Sequence, residues 1–280
     1  MLSFHPAPVQ HISSRQNPIV ARYRAARERK REDDPVLLDG VHLVADAVAA
    51  GAPLRDVVVA AAALARPDVK PLLNRLAAAR VKVATASPAV MAALSPVRSP
   101  SPIVALTDTP DAGEARAFKS SSPLIVIAYC VQDPGNLGAI IRVAEAAGAS
   151  GVMGVAASAN PFGWKAVRAS MGSALRLPVI HNSRVDVVLA ARRRGCRIFA
   201  TVPRDGRSVF DVDLKGPTAI LIGGEGGGLP PGLMNDADER ITIPMQTPVE
   251  SLNAAVTTAV ILYEARRQRT IADCGLRIAD

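Results

Sequence analysis

The second half of the chain alternates apolar stretches, which have few polar interruptions, with longer segments of helical periodicity. The apolar stretches include PLIVIAYC at 123–130, CRIFATVP at 196–203 and TAILIGG at 218–224. Strands that are apolar on both faces are typical of a parallel sheet, because helices cover such a sheet on each side. The pattern therefore predicts a mostly parallel α/β sheet, and ligands of such sheets bind beyond the carboxyl ends of the strands.

The first half also alternates short strands and helices, which predicts a smaller α/β unit. Between the halves, the segment 109–122 is rich in Ser, Pro and charged residues and poor in large apolar ones, which is typical of a linker. A chain of 280 residues has room for two domains. We therefore expect an N-terminal domain over 1–108, a linker over 109–122, a second domain over 123–270 and a tail over 271–280.

The charge balance favours a polyanionic partner. Lys and Arg number 33 against 25 Asp and Glu, which gives a formal charge of +8 and a pI near 9.9. Basic chains of this kind tend to bind nucleic acid, anionic membranes or phosphorylated ligands. Aromatic residues make up only 3%, which argues against a binding surface built mainly from base-stacking rings.

Cysteine usage and hydropathy predict a soluble cytoplasmic protein. Cys130, Cys196 and Cys274 are far apart and form no CxxC pair, so neither a disulfide framework nor a zinc ribbon is expected. The four histidines do not cluster, and we expect no metal site. The N-terminus has no apolar run of signal-peptide length, and the Ala- and Val-rich stretch 36–65 contains charged residues that disfavour a membrane span.

Two segments carry most of the notable cations. Residues 15–31 contain seven basic residues and one acidic residue. This run is typical either of a solvated helix face, which the run alone favours, or of a stripe that contacts phosphates and releases counterions. The second segment is GWKAVRASMGSALRLPV at 163–179, in which three cations are close in sequence: Lys165, Arg168 and Arg176. Such a segment is typical of a plain surface loop or of a loop that guides phosphates.

A glycine-rich loop follows the apolar stretch at 218–223. It places five glycines around Glu225, more than a plain strand-to-helix turn needs. Because glycine lets backbone N–H groups approach a ligand closely, the composition favours a ligand-binding loop. Leu229 stands where the dinucleotide pattern G-x-G-x-x-G needs Gly and where the Walker pattern needs Lys. A nucleotide-dependent oxidoreductase is therefore disfavoured.

The segment DPGNLGAIIRVAEAAGA at 133–149 predicts a loop and a helix. We expect Asn136 to cap the start of the helix and Gly148 to end it. Arg142 stands as a cation on a nearly apolar helix. It is typical either of an ion pair with Glu145 or of an arginine aimed at a substrate hydroxyl or phosphate, and the segment alone leaves both open.

The segment ITIPMQTPVESLNAAVTTAVILYEARRQ at 241–268 predicts a strand, a Pro-containing loop and a long helix. Ser251 or Asn253 is expected to cap that helix. The helix is apolar nearly all round up to Tyr263, which predicts that it is buried or forms an interface. Hydroxyl and amide groups at a buried helix N-terminus suit a polar ligand.

Together these three segments resemble the three motifs of the SpoU/TrmH family of RNA methyltransferases, within the SPOUT superfamily. The matching strings are NLGAIIR at 136–142, IGGEGGGL at 222–229, and IPM at 243–245 with SLN at 251–253. The first half resembles the ribosomal-protein-L30e-like RNA-binding domain that many members carry, through ISSRQNP at 12–18 and LLDGV at 37–41. Asp39 stands there where Glu is more usual.

The resemblance implies a fold and a reaction. The fold is an α/β protein with a small L30e-like α/β N-terminal domain and a mostly parallel-sheet C-terminal domain that contains a deep trefoil knot. Its active form is a homodimer through the C-terminal domain. The reaction is transfer of a methyl group from S-adenosylmethionine to a ribose 2′-hydroxyl of rRNA or tRNA, with rRNA preferred. The alternative is a non-catalytic RNA-binding protein that keeps the fold.

The resemblance also implies site residues, and the basic run adds candidates for RNA contact. The residues expected to hold the cofactor are Gly223, Ile243, Met245, Ser251 and Leu252. The residues expected to be catalytic are Asn136, Arg142, Glu225 and Asn253, with Arg142 positioning the hydroxyl and stabilising its charge. The residues expected to bind RNA are Arg15, Arg27, Arg29, Lys30 and Arg168. The sequence departs from the family pattern at Gly224, where Asn or Ser is frequent, and at Ala254-Ala255, where Val-Ser is frequent.

Overall fold

The structure, a computed structural model, describes residues 10–31, 33–111, 113–183 and 186–273. These residues divide into two compact units, each with its own sheet and its own core. Unit 1 comprises the chain up to Pro110 together with Phe162–Leu175, and unit 2 comprises Asp111–Pro161 and the chain from Arg176 onward. Within the described ranges, no helix combines the length and the apolar character that crossing a membrane requires.

Unit 1 is built on a mixed five-stranded sheet. Its strands are β1 (His11–Ile12), β2 (Val36–Asp39), β3 (Leu54–Ala60), β4 (Val83–Ala86) and β5 (Ile103–Thr107). They lie in the order β1-β4-β3-β5-β2, and β5 runs antiparallel to both of its neighbours. The helices of the unit are α1 (Pro18–Glu28), α2 (Val41–Ala49), α3 (Lys70–Ala78), α4 (Pro88–Leu94) and, from the segment 162–175, a helix numbered α7 (Trp164–Ala169) that packs against β2.

Helix α1 shows how the basic run is accommodated. Asn17 precedes it and its side chain accepts a hydrogen bond from the Ile19 backbone N–H at 3.0 Å, as an N-cap does. The helix buries Ile19, Val20, Tyr23 and Ala26 at helical spacing. Its cations therefore lie on the opposite, solvent-exposed face.

Unit 2 is built on a seven-stranded sheet in which every described pair of neighbours is parallel. Its strands are β6 (Leu124–Tyr129), β7 (Gly151–Val155), β8 (Val179–Ser183), β9 (Arg197–Thr201), β10 (Arg207–Ser208), β11 (Thr218–Gly223) and β12 (Glu239–Thr242). They lie in the order β10-β12-β9-β11-β6-β7-β8. The predicted parallel sheet is thereby confirmed, and the strand order reverses between β6 and β11, where open parallel sheets bind ligands.

The helices of unit 2 are α5 (Glu114–Ala117), α6 (Pro134–Ala147), α8 (Val187–Arg193), α9 (Pro231–Asp236) and α10 (Ala254–Asp273). The predicted cap of α6 was wrong by three residues: Asp133, not Asn136, is the N-cap, and its carboxylate accepts a hydrogen bond from the Asn136 backbone N–H at 2.7 Å. The reason is Pro134, whose fixed backbone and missing N–H suit the first helical position. The cap is therefore the residue directly before Pro134. Gly148 ends the helix as predicted, with φ +82°.

The segment predicted as a linker contributes to the core of unit 2. It contains the one-turn helix α5, and Ala117 and Phe118 are buried among side chains of β6, β7, β9 and β11. Most of the predicted tail, residues 274–280 with Cys274, lies outside the described residues, and α10 continues to Asp273. The predicted domain boundaries themselves stay a prediction.

Candidate active site

A cavity of about 460 Å³ lies at the carboxyl ends of three parallel strands of unit 2. Its wall is formed by the ends of β9, β11 and β12, by the loops that follow these strands, and by the start of α10. The cavity therefore lies at the carboxyl-terminal edge of the sheet, the edge at which open parallel sheets bind ligands. Its lining residues are Thr201, Val202, Pro203, Ile222, Gly223, Gly224, Glu225, Gly226, Gly228, Ile241, Ile243, Met245, Ser251, Leu252, Asn253, Ala254, Thr257 and Ile261.

The glycine loop after β11 folds back on itself beside the end of β6. The Gly224 N–H donates to the Tyr129 carbonyl at 2.8 Å, and Gly224 also forms an isolated bridge with Gly228. A Cβ atom on Gly224 would lie 1.9 Å from the carbonyl oxygen of Cys130. As the loop lies in this chain, only a residue without a side chain fits such a close approach.

Asn136 connects two of the other predicted catalytic residues. Its side-chain Nδ2 donates to Oε1 of Glu225, and its Oδ1 accepts from Nδ2 of Asn253 at 2.9 Å. The two contacts fix which end of the Asn136 amide faces each partner. The sequence therefore brings the glycine loop and the starts of α6 and α10 together through one amide side chain.

Asn253 caps α10, which confirms one of the two predicted caps, Ser251 and Asn253. Its Oδ1 accepts from the Ala255 N–H at 2.8 Å and, more weakly, from the Val256 N–H at 3.4 Å. Because Asn253 lines the cavity, the capped and polar start of α10 forms part of the cavity wall. The Oδ1 of Asn253 is occupied by the helix, so its Nδ2 is the group that contacts Asn136.

The five residues predicted to hold a cofactor, namely Gly223, Ile243, Met245, Ser251 and Leu252, all line the cavity. Glu225 and Asn253 line it as well, and Glu225 is the one charged residue among the lining residues. Sequence reasoning missed the wall formed by Thr201, Val202 and Pro203. The available signal was the position of these residues at the carboxyl end of the predicted strand 196–203.

Arg142 does not line the cavity and is exposed on α6. It lies six residues beyond Asn136, about 9 Å along the helix at ~1.5 Å per residue. Among the described residues it makes no hydrogen bond or ion pair, while Glu145 pairs with Arg176 through two contacts of 2.7 Å. The ion pair between Arg142 and Glu145 that the sequence left open is therefore not formed.

The cations predicted to bind RNA differ in the number of polar contacts that they make within unit 1. Arg27 is exposed and has no polar partner among the described residues. Arg15 donates to the Ala89 carbonyl at 3.0 Å, and Lys30 lies 3.0 Å from Glu28. Arg29 is held inside the unit, with contacts to the Asp34 carbonyl, to Thr109 at 2.7 Å and to the ring of Phe162.

Arg168 lies beside a buried carboxylate. Its Nη1 is 3.9 Å from Oδ2 of Asp39, whose side chain is only 4% exposed. Burial raises the pKa of Asp39, while hydrogen bonds from Ser95 and Ser101 and the charge of Arg168 lower it. Arg168 itself is 56% exposed, so its outer nitrogens remain accessible to a second anion.

The described residues contain no group of three or more His, Cys, Asp or Glu side chains placed to hold a metal ion. Cys196 is buried. Burial raises the pKa of its thiol, while the charges of Arg269 and Arg194 lower it to a smaller extent.

Family comparisons agree with the motifs. Residues 123–263 match the SpoU rRNA methylase family, and residues 17–105 match the MRM3-like substrate binding domain. An uncharacterized tRNA/rRNA methyltransferase of Synechocystis is 33% identical over 93% of this chain and 95% of its own length. The 23S rRNA (guanosine(2553)-2′-O)-methyltransferase RlmP of Bacillus subtilis is 25% identical over 92% of this chain and 100% of its own.

Among solved structures, the AdoMet-bound rRNA methyltransferase from Sinorhizobium meliloti superposes with a TM-score of 0.80 at 29% identity, covering 93% of this chain and 98% of that one. The match therefore extends over both units and over the complete order of motifs. The predicted resemblance and, apart from the knot, the predicted fold class are confirmed, and the chain belongs to the SpoU rRNA methylase family.

Proposed function

We propose that the protein transfers a methyl group from S-adenosylmethionine to a ribose 2′-hydroxyl of RNA, with rRNA as the preferred substrate. The observation that carries the proposal is the cavity, whose walls bring together residues of the second and third motifs, with Asn136 of the first in contact with two of them. The RlmP relative, which aligns over its whole length, is named for this reaction on 23S rRNA.

The cavity suits the proposed cofactor in size and in polarity. Small-molecule sites occupy about 300–1,000 Å³, and this cavity has about 460 Å³. Backbone of Gly223, Ile243 and Leu252 would hold the cofactor with Met245 and Ser251 nearby, and the carboxylate of Glu225 suits a cationic ligand. When bound, S-adenosylmethionine supplies a methyl group on a positively charged sulfur, which is already a good leaving group.

The chain's own task is to place the 2′-hydroxyl and to stabilise the negative charge that develops on its oxygen. Arg142 suits this task because it is exposed, lies on the same helix as Asn136 and has no polar partner in the described ranges. A guanidinium keeps its proton in proteins, so we assign it charge stabilisation rather than proton removal. Asn136, Glu225 and Asn253 would position the groups around the hydroxyl.

Replacing Arg142 by alanine is expected to lower methyl transfer to rRNA by about 100-fold or more, the usual effect of losing one preorganised donor. The measurement is incorporation of a labelled methyl group, together with calorimetric titration of S-adenosylmethionine, whose affinity should stay within about twofold because Arg142 does not line the cavity. Arg193→Ala, an exposed arginine at the end of α8, serves as the control. Wild-type rates in Arg142→Ala would contradict the assigned role.

The alternative function, RNA binding without catalysis, predicts a different titration. A chain that has lost catalysis and cofactor binding would give no heat with S-adenosylmethionine and no labelled RNA, yet would still bind rRNA. We favour the enzyme because Asn136, Arg142, Glu225 and Asn253 are all present and three of them are joined by hydrogen bonds.

We further propose that unit 1 supplies much of the affinity for RNA. By sequence, unit 1 contains 16 Lys and Arg against 9 Asp and Glu, and unit 2 contains 17 against 16, which together give the chain's 33 and 25. Nearly all of the net positive charge therefore belongs to unit 1. On α1, Arg24 and Arg27 are exposed and have no polar partner among the described residues.

Neutralising Arg24, Arg27 and Lys30 together as glutamines should weaken rRNA binding and flatten its dependence on salt. Each lost phosphate contact reduces the slope of log K against log salt by about 0.7–0.9. The matched control neutralises Arg31, Arg55 and Arg66, all of which are paired, with Asp33, Asp108 and Asp68, whereas in the first set only Lys30 is paired, with Glu28. Equal slopes for the two triple variants would contradict a role for this stripe. Arg29 is left unchanged because its contacts within unit 1 make it structural as well.

The predicted homodimer also stays a proposal, and α10 offers the surface for it. Val256 and Tyr263, seven residues apart, are 48% and 52% exposed, while the helix packs against α6. We expect a dimer at micromolar concentration by light scattering, and a monomer when both residues are replaced by glutamate. A monomeric wild-type protein would contradict this proposal.

Three other expectations remain, of which the knot rests on the resemblance alone. We propose a deep trefoil knot in unit 2, which would make this fold an exception to the rule that protein chains do not thread loops. The cytoplasmic location and the domain boundaries likewise stay predictions.

A further inference from the structure

One cation beside the cavity has no part in the motifs. Thr201, Val202 and Pro203 form a wall of the cavity, and Arg204 follows directly. Arg204 is exposed and is not itself a lining residue, so its guanidinium lies outside the cavity rather than within it. Among the described residues, it makes no hydrogen bond, ion pair or ring contact.

The turn that carries Arg204 is fixed at both ends to β12. Before the turn, the Val202 N–H donates to the Ile241 carbonyl at 2.9 Å, and the Thr242 hydroxyl donates to the Pro203 carbonyl at 3.0 Å. After the turn, Arg207 and Ser208 form β10, which pairs with β12. The backbone around Arg204 is therefore held in place before any ligand binds, which reduces the entropy lost on binding.

The interior of the turn is equally constrained. Asp205 has φ +59°, a left-handed conformation that Asp adopts more readily than most residues. Gly206 packs so closely that a Cβ would lie 2.8 Å from the backbone carbon of Ile241 and 2.8 Å from the Val202 side chain. An arginine that has no partner among the described residues and is carried by a rigid turn can bind an anion at a defined position beside the cavity.

We propose that Arg204 binds a backbone phosphate of the RNA next to the nucleotide that is methylated. The inference rests on the proposed function, because it takes RNA as the ligand that approaches the mouth of the cavity. A phosphate is the anion that RNA presents at every nucleotide, and arginine binds it with two parallel hydrogen bonds. Arg204 is then a positioning residue, since it holds the RNA without touching the reacting atoms.

The neighbouring Arg207 provides a matched control. It is the same residue type, three positions further along the chain and 56% exposed, but its Nη1 lies 3.3 Å from Oε1 of Glu239. Glu239, which also pairs with Arg197, therefore already offsets part of the charge of Arg207. Arg204→Gln and Arg207→Gln remove the same charge from the same part of unit 2, so a difference between them reports the phosphate contact and not the net charge.

The test combines steady-state methyl transfer to protein-free 23S rRNA transcribed in vitro with calorimetry of S-adenosylmethionine. For Arg204→Gln we expect the KM for RNA to rise about five- to tenfold at low salt, with kcat and the Kd of S-adenosylmethionine unchanged. Arg204→Lys should recover part of the loss by restoring the charge, and Arg207→Gln should behave like wild type. An unchanged KM in Arg204→Gln, or a weaker Kd for S-adenosylmethionine, would overturn the proposal, the latter because Arg204 would then serve the donor's carboxylate.

Equilibrium binding of the same RNA at several salt concentrations separates this inference from the proposed function. The slope of log K against log salt should be shallower by about 0.7–0.9 in Arg204→Gln, the value for one phosphate, and unchanged in Arg207→Gln. This readout does not need methyl transfer. A wild-type protein that transfers no methyl group would refute the proposed function, whereas equal slopes for wild type and Arg204→Gln would refute the phosphate contact.

Discussion

Replacing Gly224 by alanine is expected to destabilise the protein by about 3 kcal/mol or more and to abolish binding of S-adenosylmethionine. The added methyl carbon would lie 1.9 Å from the carbonyl oxygen of Cys130, 2.6 Å from its carbon and 3.1 Å from the Val131 nitrogen. All three are backbone atoms at the end of a buried strand, so relief requires the whole loop to move away from β6. Forced overpacking of this kind belongs to the costly end of single substitutions.

Gly227→Ala is the matched control for that substitution. It lies in the same loop, its φ is not in the left-handed region, and an added Cβ would meet nothing within 4 Å. Its free energy of unfolding should differ from wild type by no more than about 0.5 kcal/mol. The measurement is urea unfolding of the three proteins followed by calorimetry with the cofactor. If Gly224→Ala were as stable as Gly227→Ala, the described approach of the loop to β6 would be incorrect.

Replacing Asn136 by aspartate is expected to lower the methyl transfer rate by about 100-fold with little change of shape. The asparagine donates to Glu225 and accepts from Asn253, whereas an aspartate keeps the second contact and loses the first. The new carboxylate would face that of Glu225, and two adjacent carboxylates disfavour each other's ionised form. The repulsion would move Glu225 from its position. Each tenfold loss in rate corresponds to about 1.4 kcal/mol of transition-state stabilisation.

A second substitution tests whether this contact is the cause. Combining Asn136→Asp with Glu225→Gln restores a donor and an acceptor to the pair, with their roles exchanged. The double variant should therefore be more active than Asn136→Asp alone, with a coupling of about 1–3 kcal/mol in the double-mutant cycle. If the loss of rate in the double variant equalled the product of the losses in the two single variants, Asn136 and Glu225 would not act through their hydrogen bond.

The features that the sequence predicted well are those that depend on local pattern. The strands β6 and β11, buried except at their last residues, follow from the apolar stretches. Asn253 was among the caps expected for α10 because polar side chains precede its apolar run. The cap of α6 was misplaced, because Asn136 and Asp133 are both good caps and only the position of Pro134 decides between them.

Features that depend on tertiary packing were beyond sequence reasoning. Nothing in the basic run distinguishes Arg29, which is held by Thr109 and Phe162, from Arg27, which is exposed. The packing of segment 162–175 with unit 1 has no local signal either, because its partners in β2 are more than one hundred residues away. The wall from Thr201 to Pro203 became part of the site only through the order of β9, β11 and β12 in the sheet.

Analysis of the methylated product tests the central claim most directly. Protein-free 23S rRNA is incubated with the wild-type protein and S-adenosylmethionine, digested to nucleosides and analysed by mass spectrometry. The proposed function predicts one additional nucleoside whose added methyl group lies on the ribose, formed about 100-fold more slowly by Arg142→Ala. A methyl group on the base, or an RNA without any added methyl group under conditions in which it binds the protein, would contradict it.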